Sequence, residues 1–163
     1  MSDRLDLRRI VREARVEASA AGSARVEAEH LLLALSARPD TDAGRLLVDR
    51  GLDHGTLSRA LDLEFEHSLA SVGVRLDDFA LPHERTALVR ESRWLGRSVQ
   101  IAMQRAMKAR AGHGRSRRQL QSLHLLLGIM APDLGTVPRA LAAIGVDRDA
   151  LIDEARLTLA RAA

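Results

Sequence analysis

Apolar residues recur at helical spacing near the amino terminus. Five of them share one helical face: Leu7, Ile10, Val11, Ala14 and Ala18. Their spacing at i, i+3, i+4, i+7 and i+11 predicts an amphipathic helix from about residue 3 to residue 20. The Gly22-Ser23 pair follows, and a glycine at this point is a typical helix stop. The chain therefore opens with a helix that has one buried face.

The next segments continue the helical pattern. Residues 27–37 are apolar on nearly all sides, which predicts a short buried helix. Asp42 is a candidate cap for a helix that runs to Arg50, and Gly51 supplies a permissive stop. Asp53 is placed to cap a further helix. Its expected apolar stripe contains five residues: Leu57, Leu61, Phe65, Leu69 and Val72.

The pattern then occurs a second time. Residues 25–61 align with residues 119–155 without a gap, at a constant offset of 94, and ten of the 37 pairs are identical. The Glu-His-Leu-Leu-Leu-Ala-Leu of residues 29–35 recurs as Leu-His-Leu-Leu-Leu-Gly-Ile in residues 123–129. A helix over residues 98–110 precedes the second copy. Ser122 is expected to cap its buried helix, Gly135 to open the next helix, Gly145 to close it and Asp147 to cap the last.

An internal repeat defines the architecture before other features do. No segment shows the period-two alternation of a strand, so the predicted fold class is all-α, with two pseudo-symmetric four-helix repeats. Repeat one covers about residues 3–72, repeat two about residues 95–161, and the connector about residues 73–94, with a helix expected over 83–93. The connector is not a Gly/Ser linker, so residues 1–163 are expected to form a single domain.

Composition narrows the class of protein. The 46% apolar and 2% aromatic residues indicate a core of Leu, Ala and Val, and the net charge is only +3. No apolar run approaches the roughly 20 residues that cross a bilayer, and no signal-peptide core is present. The chain has no cysteine, which excludes disulfides and thiolate metal sites. A cytoplasmic protein without membrane contact is the expectation.

The repeated pattern resembles the amino-terminal domain of Clp unfoldases. The resemblance rests on residues 25–61 and 119–155, where Glu-His-Leu-Leu-Leu-Ala-Leu is followed by a helix closed by Gly-Leu/Val-Asp. Clp unfoldases continue into ATPase modules with a Gly-x-x-x-x-Gly-Lys-Ser/Thr loop. The sole lysine here, Lys108, does not follow such glycines. The chain therefore looks like a free-standing Clp amino-terminal domain without unfolding activity.

The resemblance implies candidate ligand contacts. In the family, a Thr-Glu-His sequence at the start of each buried helix provides a cap and a carboxylate, and some members bind phosphorylated arginine there. A phosphate would be held by backbone N–H groups of the helix start. This chain has Ala28-Glu29-His30 in repeat one and Ser122-Leu123-His124 in repeat two, so each copy keeps only part of the pattern. Glu29, Ala28 and Ser122 are the candidate ligand-binding residues. The alternative for Glu29 is a favourable interaction with the helix dipole alone.

Catalytic and metal sites are not expected. His30 and His124 are each followed by an apolar run, and their spacing does not match His-Glu-x-x-His. We interpret both as hydrogen-bonded residues at the start of a buried helix. No nucleophile-base pattern and no Gly-x-Ser-x-Gly sequence occurs. The sequence predicts neither an enzyme nor a cofactor.

Residues 110–118 form the one concentrated basic run, with Arg115, Arg117 and Arg118 at its end. A glycine-rich arginine loop can contact the phosphates of nucleic acid. No aromatic residue interleaves it to stack on bases, so a solvated loop is the simpler interpretation.

The first functional hypothesis is a protein- or peptide-binding module of the Clp protease system that acts as adaptor or decoy. Its partners would be Clp components, their substrates, phosphoarginine or small peptide-like ligands. The alternative is a nucleic-acid-associated regulator that uses the basic loop of residues 110–118.

Overall fold

The computed structural model describes residues 6–74, 94–111 and 120–161. Within them lie eight α-helices and a two-stranded sheet, so the all-α class is confirmed in outline. The elements in chain order are α1 (Leu7–Ala20), β1 (Arg25–Val26), α2 (Ala28–Ser36), α3 (Asp42–Asp49), α4 (His54–Ser71), β2 (Trp94–Leu95), α5 (Arg97–Ala111), α6 (Ser122–Met130), α7 (Thr136–Ala143) and α8 (Arg148–Arg161).

The two short strands are a feature that the sequence did not predict. β1 pairs with β2 in parallel, with Arg25 opposite Trp94 and Val26 opposite Leu95. The N–H of Gly96 donates a further hydrogen bond of 2.8 Å to the carbonyl of Val26. Strands of two residues are too short to produce a period-two pattern, so the alternation on which strand prediction depends is missing.

The helices of residues 6–74 (the first half) and 94–161 (the second half) have matching lengths. α2 and α6 contain nine residues each, and their bounds differ by 94. α3 and α7 contain eight residues each, with the same offset. The segment between α5 and α6 is longer than that between α1 and α2.

The core is centred on α2 and α6. Almost every residue of both helices is buried, and the two helices contact each other. α1, α3 and α4 pack around α2, while α5, α7 and α8 pack around α6. Contacts of α3 with α6 and of α4 with α7 join the halves further. The apolar residues of both helices belong to one continuous hydrophobic core, whose burial stabilises the fold.

Several predicted helix ends are confirmed. Gly51 and Gly145 adopt φ values of +72° and +71° after α3 and α7, a conformation that favours glycine. Asp53 accepts a hydrogen bond of 2.7 Å from the N–H of Thr56, and Asp147 accepts one of 3.0 Å from Ala150. Both aspartates therefore cap helices as predicted.

The predicted cap of α3 is wrong by one residue. Thr41 is the cap, because its hydroxyl accepts a hydrogen bond of 3.1 Å from the N–H of Gly44. Asp42 instead lies in the first turn, where it pairs with Arg45.

The predicted apolar stripe of α4 is correct only at its beginning. Leu57 is buried, but the residues that continue the buried face are Ala60 and Glu64. Phe65 is 48% exposed and Val72 is 73% exposed. The helix therefore turns a carboxylate toward the interior and an aromatic ring toward solvent, a reversal that apolar spacing alone cannot predict.

Two predictions lie outside the described residues. These are the helix over 83–93 and the basic loop that contains Arg115, Arg117 and Arg118. None of the helices described above combines the length and the apolar character needed to cross a membrane.

Candidate functional site

The starts of α2 and α6 are closed by the same reciprocal hydrogen bonds. Glu27 caps α2, and its carboxylate accepts from the N–H of His30. In return, Nδ1 of His30 accepts a hydrogen bond of 2.9 Å from the N–H of Glu27. Gln121 and His124 repeat this arrangement at α6, with Nδ1 of His124 at 3.2 Å from the N–H of Gln121. Each pair forms a capping box in which histidine occupies the third helical position.

Protonation of His30 would disrupt this arrangement. Nδ1 must be unprotonated to accept the hydrogen bond from Glu27. Burial of the imidazole lowers the pKa of His30 to about 4, although the nearby Glu27 carboxylate acts in the opposite direction. His30 is therefore neutral at pH 7, which confirms its interpretation as a hydrogen-bonded residue of the helix start.

Ala28 and Ser122 do not occupy the positions expected of them. The caps lie one residue earlier, so Ala28 and Ser122 are the first residues of their helices. Ser122 is completely buried, and its hydroxyl accepts a hydrogen bond of 3.0 Å from the N–H of Ala43 in the other half. Ala28 is only 8% exposed. Ser122 therefore contributes to the packing of the halves, and its side chain is not open to a ligand.

The backbone N–H groups at the start of α2 are occupied by the chain itself. The N–H of Ala28 donates to the hydroxyl of Ser98 at 2.8 Å, and that of His30 donates to the Glu27 carboxylate. The N–H of Glu29 interacts with the carboxylate of the same residue. The expected phosphate site is thus filled by Glu27, which also accepts a hydrogen bond from Ser98.

The position of Glu27 depends on a glycine in the neighbouring strand segment. A Cβ atom at Gly96 would lie 2.0 Å from a carboxylate oxygen of Glu27. Any side chain at Gly96 would therefore displace the carboxylate from its capping position. Gly96 follows β2, so the short sheet holds the glycine against the start of α2.

The Glu27 carboxylate accepts hydrogen bonds from Ser98 and from the N–H of His30. Among the described residues, by contrast, Glu29 has neither an ionic partner nor a side-chain hydrogen bond to another residue. Its side chain is partly buried in the first turn of α2. Burial raises the pKa of Glu29, and the negative charges of Glu27 and Glu64 raise it further. Its own backbone N–H acts in the opposite direction. A carboxylate in this environment gains from the approach of a cation.

Glu29 lines an open groove of about 590 Å³ between α1, α2 and α4, which we call the acidic groove. Four carboxylates line it: Glu17, Glu29, Asp62 and Glu64. Its apolar side chains are those of Leu33, Leu61 and Phe65. Nε2 of His54 lies 3.0 Å from the carboxylate of Glu17. Neither lysine nor arginine contributes to the described lining.

Glu64 is the most buried of these carboxylates, with 6% exposure. It accepts hydrogen bonds of 2.7 Å from Nε of Arg139 in α7 and from the hydroxyl of Ser68. The Arg139 pair joins the two halves at the edge of the acidic groove. The sequence did not indicate this pair, because its members are 75 residues apart.

A second, smaller cavity of about 220 Å³ adjoins the acidic groove, and Glu29 and Thr136 line both. We call it the apolar pocket. Most of its side chains are apolar: Ala28, Ile129, Pro132, Leu134, Val137 and Pro138. A ligand that extends past Glu29 can therefore contact a charged surface on one side and an apolar surface on the other.

The second half has a counterpart groove of about 510 Å³ between α5, α6 and α8. Four of its lining residues stand 94 positions after residues of the acidic groove: Leu127, Arg148, Ile152 and Arg156. Arg156 thus replaces Asp62, and Arg148 replaces His54. The position of Glu29 is taken by Leu123, which is 1% exposed.

Two of the three arginines that line this counterpart groove, Arg148 and Arg156, are paired with aspartates. Arg148 donates to the Pro132 carbonyl and lies 2.8 Å from Asp133. Its hydrogen bonds to Asp133 and Asp149 raise its pKa. Arg156 lies 3.2 Å from Asp153. The two grooves therefore differ in their charge chemistry, although the helices around them correspond.

No protein-family model matches the chain, and no curated protein matches it. Within residues 6–74, 94–111 and 120–161, no group of three or more His, Asp or Glu side chains is placed to hold a metal ion.

The sequence identified Glu29 but missed the rest of its surroundings. Glu17, Asp62 and Phe65 come from α1 and α4, and only the packing of these helices against α2 brings them together. One signal of this surface was present in the sequence. The apolar stripe of α4 predicted that Phe65 is buried, although acidic residues flank Phe65 on both sides.

Proposed function

We propose that the protein is a non-catalytic protein- or peptide-binding module of the Clp protease system, acting as an adaptor or decoy for substrates. The proposal combines the resemblance of the repeated helix pattern with one structural observation. Glu29 presents to the acidic groove a carboxylate that has no ionic partner in the part of the chain that the structure describes, at the start of a helix whose other residues form the core. A carboxylate in such an open groove is suited to bind a ligand rather than to stabilise the fold.

Binding rather than catalysis is the function that the groove chemistry favours. Ser58 and His54 both line the acidic groove, and His54 contacts Glu17. No hydrogen bond joins Ser58 to His54 among the described contacts, so the serine lacks the general base that an activated nucleophile requires. The groove therefore offers shape, apolar surface and negative charge.

A reconstituted degradation assay tests the proposal. The purified protein is added to a Clp unfoldase and its protease with a fluorescent substrate, and the degradation rate is measured. Acceleration indicates an adaptor, and concentration-dependent inhibition indicates a decoy. Glu29→Ala should reduce either effect. An unchanged rate, together with no Clp component captured on the immobilised protein, would contradict the proposal.

Calorimetric titration with free phosphoarginine separates two versions of this function. Binding that is lost in Glu29→Ala would indicate a reader of phosphorylated substrates. Absence of binding would leave the adaptor and decoy versions intact, because neither requires a phosphorylated ligand.

A further inference from the structure

The acidic groove and the apolar pocket meet at Glu29 and Thr136. One compact ligand can therefore occupy both cavities. The acidic groove is large enough for a long side chain and part of a peptide backbone. The smaller apolar pocket has room for a single apolar side chain. Such a pair of adjoining sites suits two neighbouring side chains of a peptide.

Charge determines which side chain the groove favours. Glu17 has His54 beside it and Glu64 is paired with Arg139, while no cationic side chain of the described residues forms an ion pair with Glu29. A positively charged group would remove the unfavourable interactions that raise the pKa of Glu29. The complementary ligand group is therefore cationic.

The aromatic ring at the groove favours arginine among the cationic side chains. Phe65 is 48% exposed and lines the same groove as Glu29. A planar guanidinium can stack on an aromatic face while it forms two parallel hydrogen bonds with a carboxylate, and an ammonium group lacks this geometry.

A phosphate on that arginine would be disfavoured. Two of the donors that could hold it at the start of α2, the N–H groups of His30 and Ala28, are engaged by Glu27 and Ser98. The added negative charge would also lie in the field of the groove carboxylates. Unlike a phosphate-binding helix start, this one is already occupied by an internal anion.

We propose that the acidic groove and the apolar pocket together bind an unphosphorylated arginine and an adjacent apolar side chain of a peptide, and discriminate against phosphoarginine. This inference rests on the proposed peptide-binding function and names its ligand class. Glu29 binds the guanidinium, Phe65 stacks on it, and Leu134 covers the neighbouring apolar side chain.

Fluorescence anisotropy with labelled hexapeptides tests the ligand class. One peptide contains Arg-Leu at its centre, and three others replace the arginine by citrulline, the arginine by phosphoarginine, or the leucine by serine. We expect the Arg-Leu peptide to bind roughly tenfold more tightly than the citrulline and phosphoarginine peptides. The serine peptide should bind several-fold more weakly than the Arg-Leu peptide.

Matched variants test the location. Glu29→Gln should weaken the Arg-Leu peptide roughly tenfold, whereas Asp153→Asn in the counterpart groove should not. Leu134→Ser should reduce the preference for leucine over serine, and Leu157→Ser on α8 should leave it unchanged. Leu134 and Leu157 are 87% and 57% exposed, so these substitutions preserve the core.

The outcomes distinguish this inference from the function on which it rests. Equal or tighter binding of the phosphoarginine peptide, or no binding of the Arg-Leu peptide, overturns the inference. The Clp degradation assay can still be positive in either case, and the proposed function then stands. Arg-Leu binding with an unchanged Clp degradation rate and no captured Clp component supports the ligand class and contradicts the proposed function.

Discussion

The two halves of the molecule share their helix lengths and helix caps but differ in the grooves beside their central helices. His30 and His124 make the same reciprocal hydrogen bond at the starts of α2 and α6. Beside these helices, however, Asp62 in the first half is replaced by Arg156 in the second. Capping and core positions are constrained by local geometry and burial, whereas groove positions are free to carry either charge.

The halves also differ in how closely the first helix of each half (α1 or α5) approaches the central helix (α2 or α6). A Cβ atom at Gly128 of α6 would lie 2.2 Å from the carbonyl oxygen of Ala102 in α5. The equivalent position in α2 is Ala34, which accommodates its methyl group with 1% exposure. The approach of α5 therefore depends on a glycine in α6, whereas α2 carries an alanine at the equivalent position.

Gly128→Ala tests this difference and should have the largest effect. Because the contact is with backbone, α5 must move as a whole, and we expect the free energy of unfolding to fall by about 3 kcal/mol. This corresponds to a decrease in Tm of roughly 6 to 12 °C. Ala34→Gly is the matched control, with an expected loss of about 1 to 2 kcal/mol from helix propensity and a lost methyl. A greater loss in the control would contradict the closer approach in the second half.

The pH dependence of stability tests the helix start of the first half. The pKa of His30 is about 4 in the folded protein and 6.5 in the unfolded chain, so the unfolded state binds more protons between these values. Stability is therefore complete above pH 6.5 and falls as the pH approaches 4. The expected loss from this group between pH 7 and pH 4 is about 2 to 3 kcal/mol.

His30→Gln isolates this contribution from that of other titrating groups. The variant should be less stable than the wild type at pH 7, because a buried hydrogen bond is perturbed, and the difference should shrink toward pH 4. Denaturant unfolding at several pH values measures both proteins. A difference that stays constant with pH would show that His30 does not titrate with a lowered pKa.

Much of the fold could be predicted because local rules and the repeat agree. Asp53 and Asp147 cap helices, and Gly51 and Gly145 close them, as their residue types indicate. The caps of α2 and α6 were misplaced by one residue. Glu27 and Gln121 are less common caps than serine or threonine, and the histidine that completes each box does not follow the usual Glu/Gln pattern.

The site could be predicted only in part because its residues meet through packing. Glu29 was identified from the repeated motif, but the neighbouring carboxylates belong to helices distant in sequence. Ser122 appeared to be a cap and possible ligand contact, yet its hydroxyl satisfies the N–H of Ala43 in the interior. The residue type alone does not reveal whether a partner from the other half already occupies the hydrogen-bonding group of a polar side chain.

Arg45 and Arg139 stand at equivalent positions of the two halves and provide the next test of the comparison between the halves. Arg139 pairs with Glu64, whose side chain is 7% exposed, whereas Arg45 pairs with the more exposed Asp42 on the surface. Arg139→Ala leaves a buried carboxylate without its cation, and we expect a loss of about 1 to 2 kcal/mol in the free energy of unfolding. Arg45→Ala should cost less than about 0.5 kcal/mol. Denaturant titration of both variants checks this, and equal losses would argue against a structural role of the Arg139 pair between the halves.

The smallest effect on stability should come from a substitution of Glu29, and the informative result is whether stability rises or falls. The pKa of Glu29 is raised in the folded protein, so its ionised form is disfavoured there relative to the unfolded chain. This penalty is absent at low pH and develops as the pH rises past the normal carboxyl range. Glu29→Gln should therefore raise Tm slightly at pH 7 and leave it unchanged at pH 3. The counterpart position, Leu123, carries no such penalty because it is apolar and buried. A lower Tm for Glu29→Gln at pH 7 would mean that Glu29 stabilises the start of α2, as the helix-dipole interpretation requires, and that the acidic groove is a by-product of capping rather than a binding surface.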